Sequence, residues 1–413
     1  MPVCFYGRSG SYFLYSLLEN HPEILALNSE LREFWKIPSW HFDKSFEEQL
    51  LFILDTWVAF INEPGVDSFK NLYPGSPQVH VPRDINMDYG SKNYFSGPWS
   101  HIDRYKKPEL SKFISYCYDI AQAMYGMNLD SLRLSRFELF KLLHFSKNLA
   151  LGQKIPKSSV ILYNLHVADS LCIKEIEKNI PCKIIHTIRS PLQSFGSHLK
   201  RYLDPGLRAP GDIAYNDVPT HVLSGILGDD CFLSGNKKDE FGVRLEDIHG
   251  KPMETLKGVL KSLGLRFNPC VLKETYNGGP YSFHNGDGTR VSGFGGKQLE
   301  KTHKDILTDN DALVLESILQ DNYIKWNYPF RSKHIKSKAH LASSIDQLCD
   351  FDFIKEIESQ HQIKIDRTKI REIVLKKLST LSKDIFPVRL GAVSLFAEKV
   401  KQLLFKIKKH AQE

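Results

Sequence analysis

The first thirty residues constrain the fold more than any other stretch. Pro2 to Tyr6 is a short apolar run, and the turn Gly7-Arg8-Ser9-Gly10-Ser11 follows it. From Tyr12 to Asn20 the residues Phe13, Leu14, Leu17 and Leu18 recur at helical spacing and share one face. His21-Pro22 closes that helix, because proline lacks the N–H that a further turn would need. Glu23 to Leu27 predicts a second strand. Strand, glycine-containing turn, helix and strand make a parallel βαβ unit, since a crossover of this length returns the chain in the same direction.

The pattern repeats further on. Ser159 to Leu165 predicts a strand, Asp169 to Asn179 a helix, Lys183 to Ile188 a strand and Pro191 to Tyr202 a helix. Phe241 to Leu245 reads as one more strand and Met253 to Leu263 as a helix ending at Gly264. Gly278 to Gly296 is glycine-rich and reads as a loop, and Asp309 to Asp321 as a helix. Together these predict an α/β domain over 1–330, a central parallel sheet flanked by helices. Residues 36–155 interrupt it as a mostly helical insertion, with helical patches at Phe113 to Met127 and Ser131 to Ser146. Residues 331–413 form a helical, basic C-terminal extension, with 18 Lys/Arg against 10 Asp/Glu.

Composition narrows the class without naming it. The net charge of +7 suits anionic ligands but falls short of a nucleic-acid-binding tail. The 7 cysteines are scattered and include no CxxC pair, which argues against a disulfide framework or a zinc site and suits a reducing cytoplasm. No run of apolar residues is long enough to span a bilayer, and the polar turn arriving by Gly7 argues against a secretory signal.

The turn after the first strand has the chemistry of a phosphate cradle. Backbone N–H groups at a helix start converge on one point, and the helix dipole adds about half a positive charge there. Gly7 and Gly10 permit close approach, Arg8 adds a permanent cation, and Ser9 and Ser11 add hydroxyl donors. An ATP-binding loop would need Lys and Ser/Thr after the second glycine; Ser11-Tyr12 stand there instead, which disfavours a kinase. A second anion turn follows the strand that ends at Ile188, where Arg189 supplies a forked cation and Ser197 a hydroxyl on the next helix.

Both stretches resemble the sulfotransferase superfamily. Phe5-Tyr6-Gly7-Arg8-Ser9-Gly10-Ser11, with Asn20-His21-Pro22 closing the helix, is similar to that family's 5'-phosphosulfate loop, departing from it at Tyr12, where a second Ser or Thr is usual. Ile184 to Pro191 with Ser197 resembles its 3'-phosphate site. Arg244-Leu245-Glu246-Asp247-Ile248 resembles a third segment, in which many members carry Tyr where Leu245 stands. Thr289 to Lys297, with Arg290, Ser292 and Gly293, resembles the loop that closes over the 3' phosphate. The resemblance implies a P-loop-like fold, the donor 3'-phosphoadenosine 5'-phosphosulfate (PAPS) with PAP as product, and no metal. It implies that Gly7, Arg8, Ser9, Gly10, Ser11, Tyr12, Arg189, Ser197, Arg290, Ser292 and Gly293 hold the nucleotide.

The resemblance also offers two general bases. His166 follows a strand, where the small-molecule branch of the family has its catalytic His; Asn164 replaces the Lys usual in that motif. Glu30 follows the second strand, where the glycan-modifying branch has its base. Either group could take the acceptor's proton while Arg8 supports the leaving phosphate. The Glu30 spacing and the insertion, with Tyr73, Tyr89, Tyr94, Phe95, Trp99 and Tyr105, favour a carbohydrate or glycolipid hydroxyl as acceptor, with an amine left open. The alternative is an inactive scaffold that still binds PAP. In the last helix Val393, Phe396, Val400, Leu403 and Ile407 form a stripe among Lys399, Lys401, Lys406, Lys408 and Lys409, suited to an anionic membrane surface or to packing on the body or a partner subunit. A cytoplasmic protein is expected, with peripheral membrane contact and oligomer formation left open.

Overall fold

Five strands, all parallel, make one sheet in the order β2-β3-β1-β4-β5. They are β1 (Pro2–Phe5), β2 (Ile24–Glu30), β3 (Val160–Leu165), β4 (Ile184–Ile188) and β5 (Glu240–Arg244). The computed structural model describes residues 2–5, 10–30, 34–35, 37, 39–56, 110–126, 128–155, 159–165, 176–178, 180–205, 213–227, 240–276, 279–280, 283–284, 290–295, 306–331, 341 and 343–380.

Alternation along the strands explains the layers. Leu162 and Ile185 point to one face, where they meet Phe13, Leu14, Leu17 and Leu18 of helix α1 (Ser11–Leu18). Their neighbours Tyr163 and Ile184 point to the other face. That second face is covered by helices of the insertion: α2 (Phe46–Thr56), α3 (Leu110–Tyr125) and α4 (Arg136–Ala150). Helix α4 begins later than its apolar pattern suggests because Ser135 and Glu138 form a reciprocal capping box. Ser135 N–H donates to Glu138 Oε2 at 2.8 Å and Glu138 N–H to Ser135 Oγ at 3.3 Å. The described half of the insertion is thus a structural layer. The aromatic residues at 73, 89, 94, 95, 99 and 105 lie outside the described residues, as does the stripe from Val393 to Ile407.

Several boundaries move for identifiable reasons. Strand β2 runs past Leu27 to Glu30, across a register irregularity that the weak strand formers Asn28 and Ser29 accommodate. Strand β5 stops at Arg244, and Leu245 starts the short helix α7 (Leu245–Gly250). Acidic Glu246 and Asp247 favour a helix N-terminus, and Arg244 grips Asp247 in a forked pair at 2.7 Å. Helix α8 (Pro252–Leu263) follows. The glycine-rich stretch contains two short antiparallel ladders, Thr275–Tyr276 with Gly279–Pro280 and Phe283–His284 with Arg290–Val291. Of the helix expected over 169–179, residues 176–178 are helical and the rest lies outside the described residues.

A third layer packs beyond the sheet. Helices α5 (Pro191–Leu203), α6 (Val218–Leu227), α9 (Asp309–Ile318) and α10 (Gln320–Lys325) share one apolar cluster with α11 (Ile345–Leu348), α12 (Asp352–His361) and α13 (Arg367–Thr380). Residues 345–378 therefore bury their apolar faces against the body. Trp326 carries the layer onto β5, where a Cβ added at Gly242 would sit 1.9 Å from its ring, so only glycine fits. Among the described residues no helix is long and apolar enough to cross a membrane.

Candidate anion-binding site

The sheet order fixes where a ligand would enter. The β1→β2 connection travels past β3 in one direction, whereas β3→β4 and β4→β5 travel in the other. Right-handed crossovers in opposite directions place their helices on opposite faces, as α1 and Ile176 are placed here. Between β1 and β4 the outgoing connections diverge and leave a crevice beyond the strands' carboxyl ends, the usual ligand position in open parallel sheets. Phe5 of β1 pairs with Thr187 of β4, so the carboxyl end of β1 lies beside the strand that leads to Arg189.

On the β1 side, Tyr6, Gly7, Arg8 and Ser9 lie outside the described residues. Gly10 adopts φ +82°, a left-handed conformation natural to glycine, and precedes α1 without a side-chain cap. No acidic residue occupies the helix's first turn, so its positive end carries no built-in countercharge. A Cβ at Gly10 would lie 2.4 Å from Leu245 Cδ1, so Leu245 packs directly on Gly10. Ser11 is buried and Tyr12 packs at the edge of the α1 core.

On the β4 side, Arg189 is held by neighbours that sequence patterns do not reveal. Its Nε donates to Gln193 Oε1 at 3.2 Å. Burial lowers its pKa, and the nearby Glu246 carboxylate works against that shift. Glu246 Oε1 accepts the Ser190 N–H at 2.8 Å and Oε2 accepts the Tyr328 hydroxyl at 2.9 Å. Burial and the Glu246 charge push the Tyr328 pKa well above its usual range, keeping it a neutral donor. Arg244 braces the same corner, donating to the Asn327 carbonyl at 3.0 Å and lying 5.6 Å from the Tyr328 ring centroid. Ser197 sits two turns into α5 and is partly buried.

The segment at 292–295 reaches this corner. Gly293 has φ +76° and its N–H donates to Glu274 Oε1. Phe294 meets Phe13 edge-on at 5.6 Å, and the Gly295 N–H approaches His249 Nδ1 at 3.4 Å. Ser292 is exposed; Arg290 lies in the short ladder, and its side chain lies outside the described residues. His249, on α7, stacks on Phe13 with ring centroids 4.6 Å apart and planes 3° from parallel. Burial, and then the Arg189 charge, lower its pKa to about 4, so it is neutral near pH 7.

Of the two candidate bases, Glu30 ends β2 and pairs through its backbone with Asn164. Leu165 in turn pairs with Cys4, so β3 ends at the same end of the sheet as β1 and β4. His166 and the Glu30 side chain lie outside the described residues. Gly10, Ser11 and Tyr12 open α1 beside Leu245, Arg189 follows β4, Ser197 lies on α5, and Phe294 and Gly295 reach Phe13 and His249. Tyr328, Gln193 and His249 are contributors that sequence reading missed, as is the tie of Glu246 to Ser190 and Tyr328. The only hint was the acidic pair following β5.

A cavity of about 410 Å³ lies at the opposite end of the sheet, where β3 and β4 begin, lined by Phe137, Phe140, Lys141, Cys182, Lys183 and other residues. Its size falls within the range of small-molecule pockets. It lacks the convergent strand ends and helix N-terminus of the Arg189 corner, and we assign the site to the latter.

No protein-family model and no curated protein matches the chain. Solved structures similar to it include two sulfotransferase domains. One is a sulfotransferase domain from the curacin biosynthetic pathway, with 14% identity and a TM-score of 0.35, covering 89% of this chain and 98% of that one. The other is a sulfotransferase domain from the Synechococcus PCC 7002 olefin synthase, with 13% identity and a TM-score of 0.32, covering 89% and 96%.

Proposed function

We propose that the chain is a sulfotransferase that moves a sulfuryl group from PAPS to a hydroxyl acceptor. The observation carrying this reading is that β1 and β4, each followed by a sequence of anion-binding type, lie side by side in the sheet. One leads into the uncapped start of α1, and the other presents Arg189. A nucleotide with phosphates at both ends of its ribose would bridge them, the 5' end at Gly7–Tyr12 and the 3' end at Arg189 and Ser197, with Arg290, Ser292 and Gly293 closing over it. The reading extends to a P-loop-like fold.

In the reaction the acceptor oxygen attacks sulfur in line, the bond from sulfur to the 5'-phosphate oxygen breaks, and PAP leaves. The acceptor's proton passes to Glu30 or His166. Arg8 and the loop N–H groups stabilise charge on the departing phosphate; positioning and electrostatics supply the catalysis. A glycan or glycolipid acceptor is the favoured class.

Labelled PAPS with a panel of glycans, phenols and sterols tests the activity. Transfer to a glycan is expected, and transfer confined to phenols or sterols removes that acceptor class. Arg189→Ala should raise the donor KM at least tenfold. Glu30→Gln and His166→Asn, measured separately at saturating donor, should identify the base by a loss of about 10²-fold or more in kcat; an unchanged rate eliminates that residue. PAP binding without transfer to any acceptor would favour the second reading, a nucleotide-binding scaffold, which Tyr12 and Asn164 support as departures from the family motifs.

A further inference from the structure

We propose that His249 is a ligand-binding residue of the Arg189 corner, its Nε2–H donating to the same oxyanion that Arg189 holds while its Nδ1 fastens the segment at 293–295. The inference rests on reading that corner as an anion site.

The argument starts from an unfinished hydrogen-bond account. His249 is 6% exposed, and its Nε2 makes no hydrogen bond. Buried polar groups are nearly always paired, so an orphan calls for a specific explanation. The other ring nitrogen fixes the proton's position. The Gly295 N–H points at Nδ1, which must therefore present its lone pair, so the proton of the neutral imidazole rides on Nε2. Arg189 lies near enough for its charge to disfavour the imidazolium. The Ser190 N–H bond to Glu246 ties the helix of His249 to the residue that follows Arg189. A buried N–H donor in the same corner as a guanidinium, with no acceptor of its own, is half of an oxyanion site; the missing half is the ligand.

The surroundings hold this donor in place. Phe13 stacks flat on the imidazole, and Phe294 packs edge-on against Phe13, so the ring cannot turn without disturbing the start of α1. Glu246, one turn earlier on α7, is occupied by Ser190 and Tyr328 and does not supply the missing acceptor. An anion entering beside Arg189 would therefore find its second donor already oriented. Through the Gly295 contact, the same ring would connect occupancy of the site to the position of the glycine-rich segment.

Two substitutions separate this role from simple packing. His249→Phe keeps the stack on Phe13 and removes both nitrogens. His249→Gln places an amide N–H near the position of Nε2. Calorimetric titration of the full chain with PAP, and separately with inorganic phosphate, is the measurement. His249→Phe should weaken PAP binding about ten- to a hundredfold, the usual worth of a hydrogen bond to a charged group, while His249→Gln should stay within about threefold of the parent. Equal PAP affinity in the parent and in His249→Phe overturns the inference and leaves the nucleotide reading standing. Phosphate binding that depends on His249, without PAP binding, keeps the inference and removes the nucleotide. Binding of neither ligand by the parent removes both. Should His249→Phe fail to fold, ring ¹⁵N resonances of the parent decide the matter: the Nε2 signal should move on titration with PAP or phosphate, and a signal unmoved at saturation overturns the proposal.

Discussion

Asp311 and His249 are both buried polar groups beside helix termini, one in the outer helical layer and one at the carboxyl end of the sheet. Asp311 is fully enclosed. Its Oδ1 accepts the Asp352 N–H at 2.7 Å, and its Oδ2 accepts the N–H groups of Phe353 at 3.1 Å and Thr308 at 3.3 Å. One carboxylate thereby caps α9 and holds the start of α12. His249 is buried almost as deeply, yet one of its nitrogens has no partner. Burial alone does not separate scaffold from site. At Asp311 the hydrogen bonds close within the protein; at His249 one stops short, as it also does at Nε2 of His144 in the core, and what sets His249 apart is its place in the Arg189 corner.

The largest test of that contrast is Asp311→Ala. It orphans N–H groups on two helices and should cost about 3 kcal/mol or more in urea denaturation. PAP affinity of the folded protein should stay unchanged; a parallel loss of affinity would mean that the two regions are coupled. Tyr328→Phe is the intermediate case. It removes one hydrogen bond to the Glu246 carboxylate and should lower stability by roughly 1.5–3 kcal/mol. Affinity should fall less than threefold, because Tyr328 acts through Glu246, and a fall like that of His249→Phe would place the phenol in the site itself.

The smallest effect is on pH dependence. His144 is wholly buried and its pKa is lowered to about 3, chiefly by desolvation. The unfolded chain therefore takes up a proton near pH 6.5 that the folded chain refuses. The stability this residue contributes is intact above pH 6.5 and shrinks as pH falls toward 3. By pH 5.5 the loss is about 1 kcal/mol. His144→Leu should flatten that part of the acid limb in thermal melts; an unaltered limb would assign it to other groups. His249, lowered to about 4, contributes with the same sign, and a bound anion favouring the imidazolium should reduce its share.

How much of this was legible depended on distance along the chain. Local patterns carried the parallel βαβ opening, because strand, turn and helix there fall within thirty residues. Arg189 was recognisable as a strand-end cation before Pro191. Its support was not: Glu246 lies 56 residues from Ser190, and Tyr328 lies 82 residues from Glu246. No periodicity predicts such meetings. They follow from strand order, which brings the β4 and β5 ends together. Helix α7 was missed because its strand and helix share Arg244 and Leu245 without a breaker between them. A first-turn acid such as Asp311 carries no sequence mark of a second task, and only the docking of α12 reveals it.

The fit of Leu245 over Gly10 links residues that are far apart in sequence. With less than a methyl group's clearance, neither position can enlarge while the other stays as it is. A library randomised at position 10 alone should return almost only the parent codon. One randomised at both positions should recover its rare survivors as pairs, the side chain at 245 shrinking whenever the one at 10 grows. The size of residue 245 thus limits how the turn after β1 can diversify.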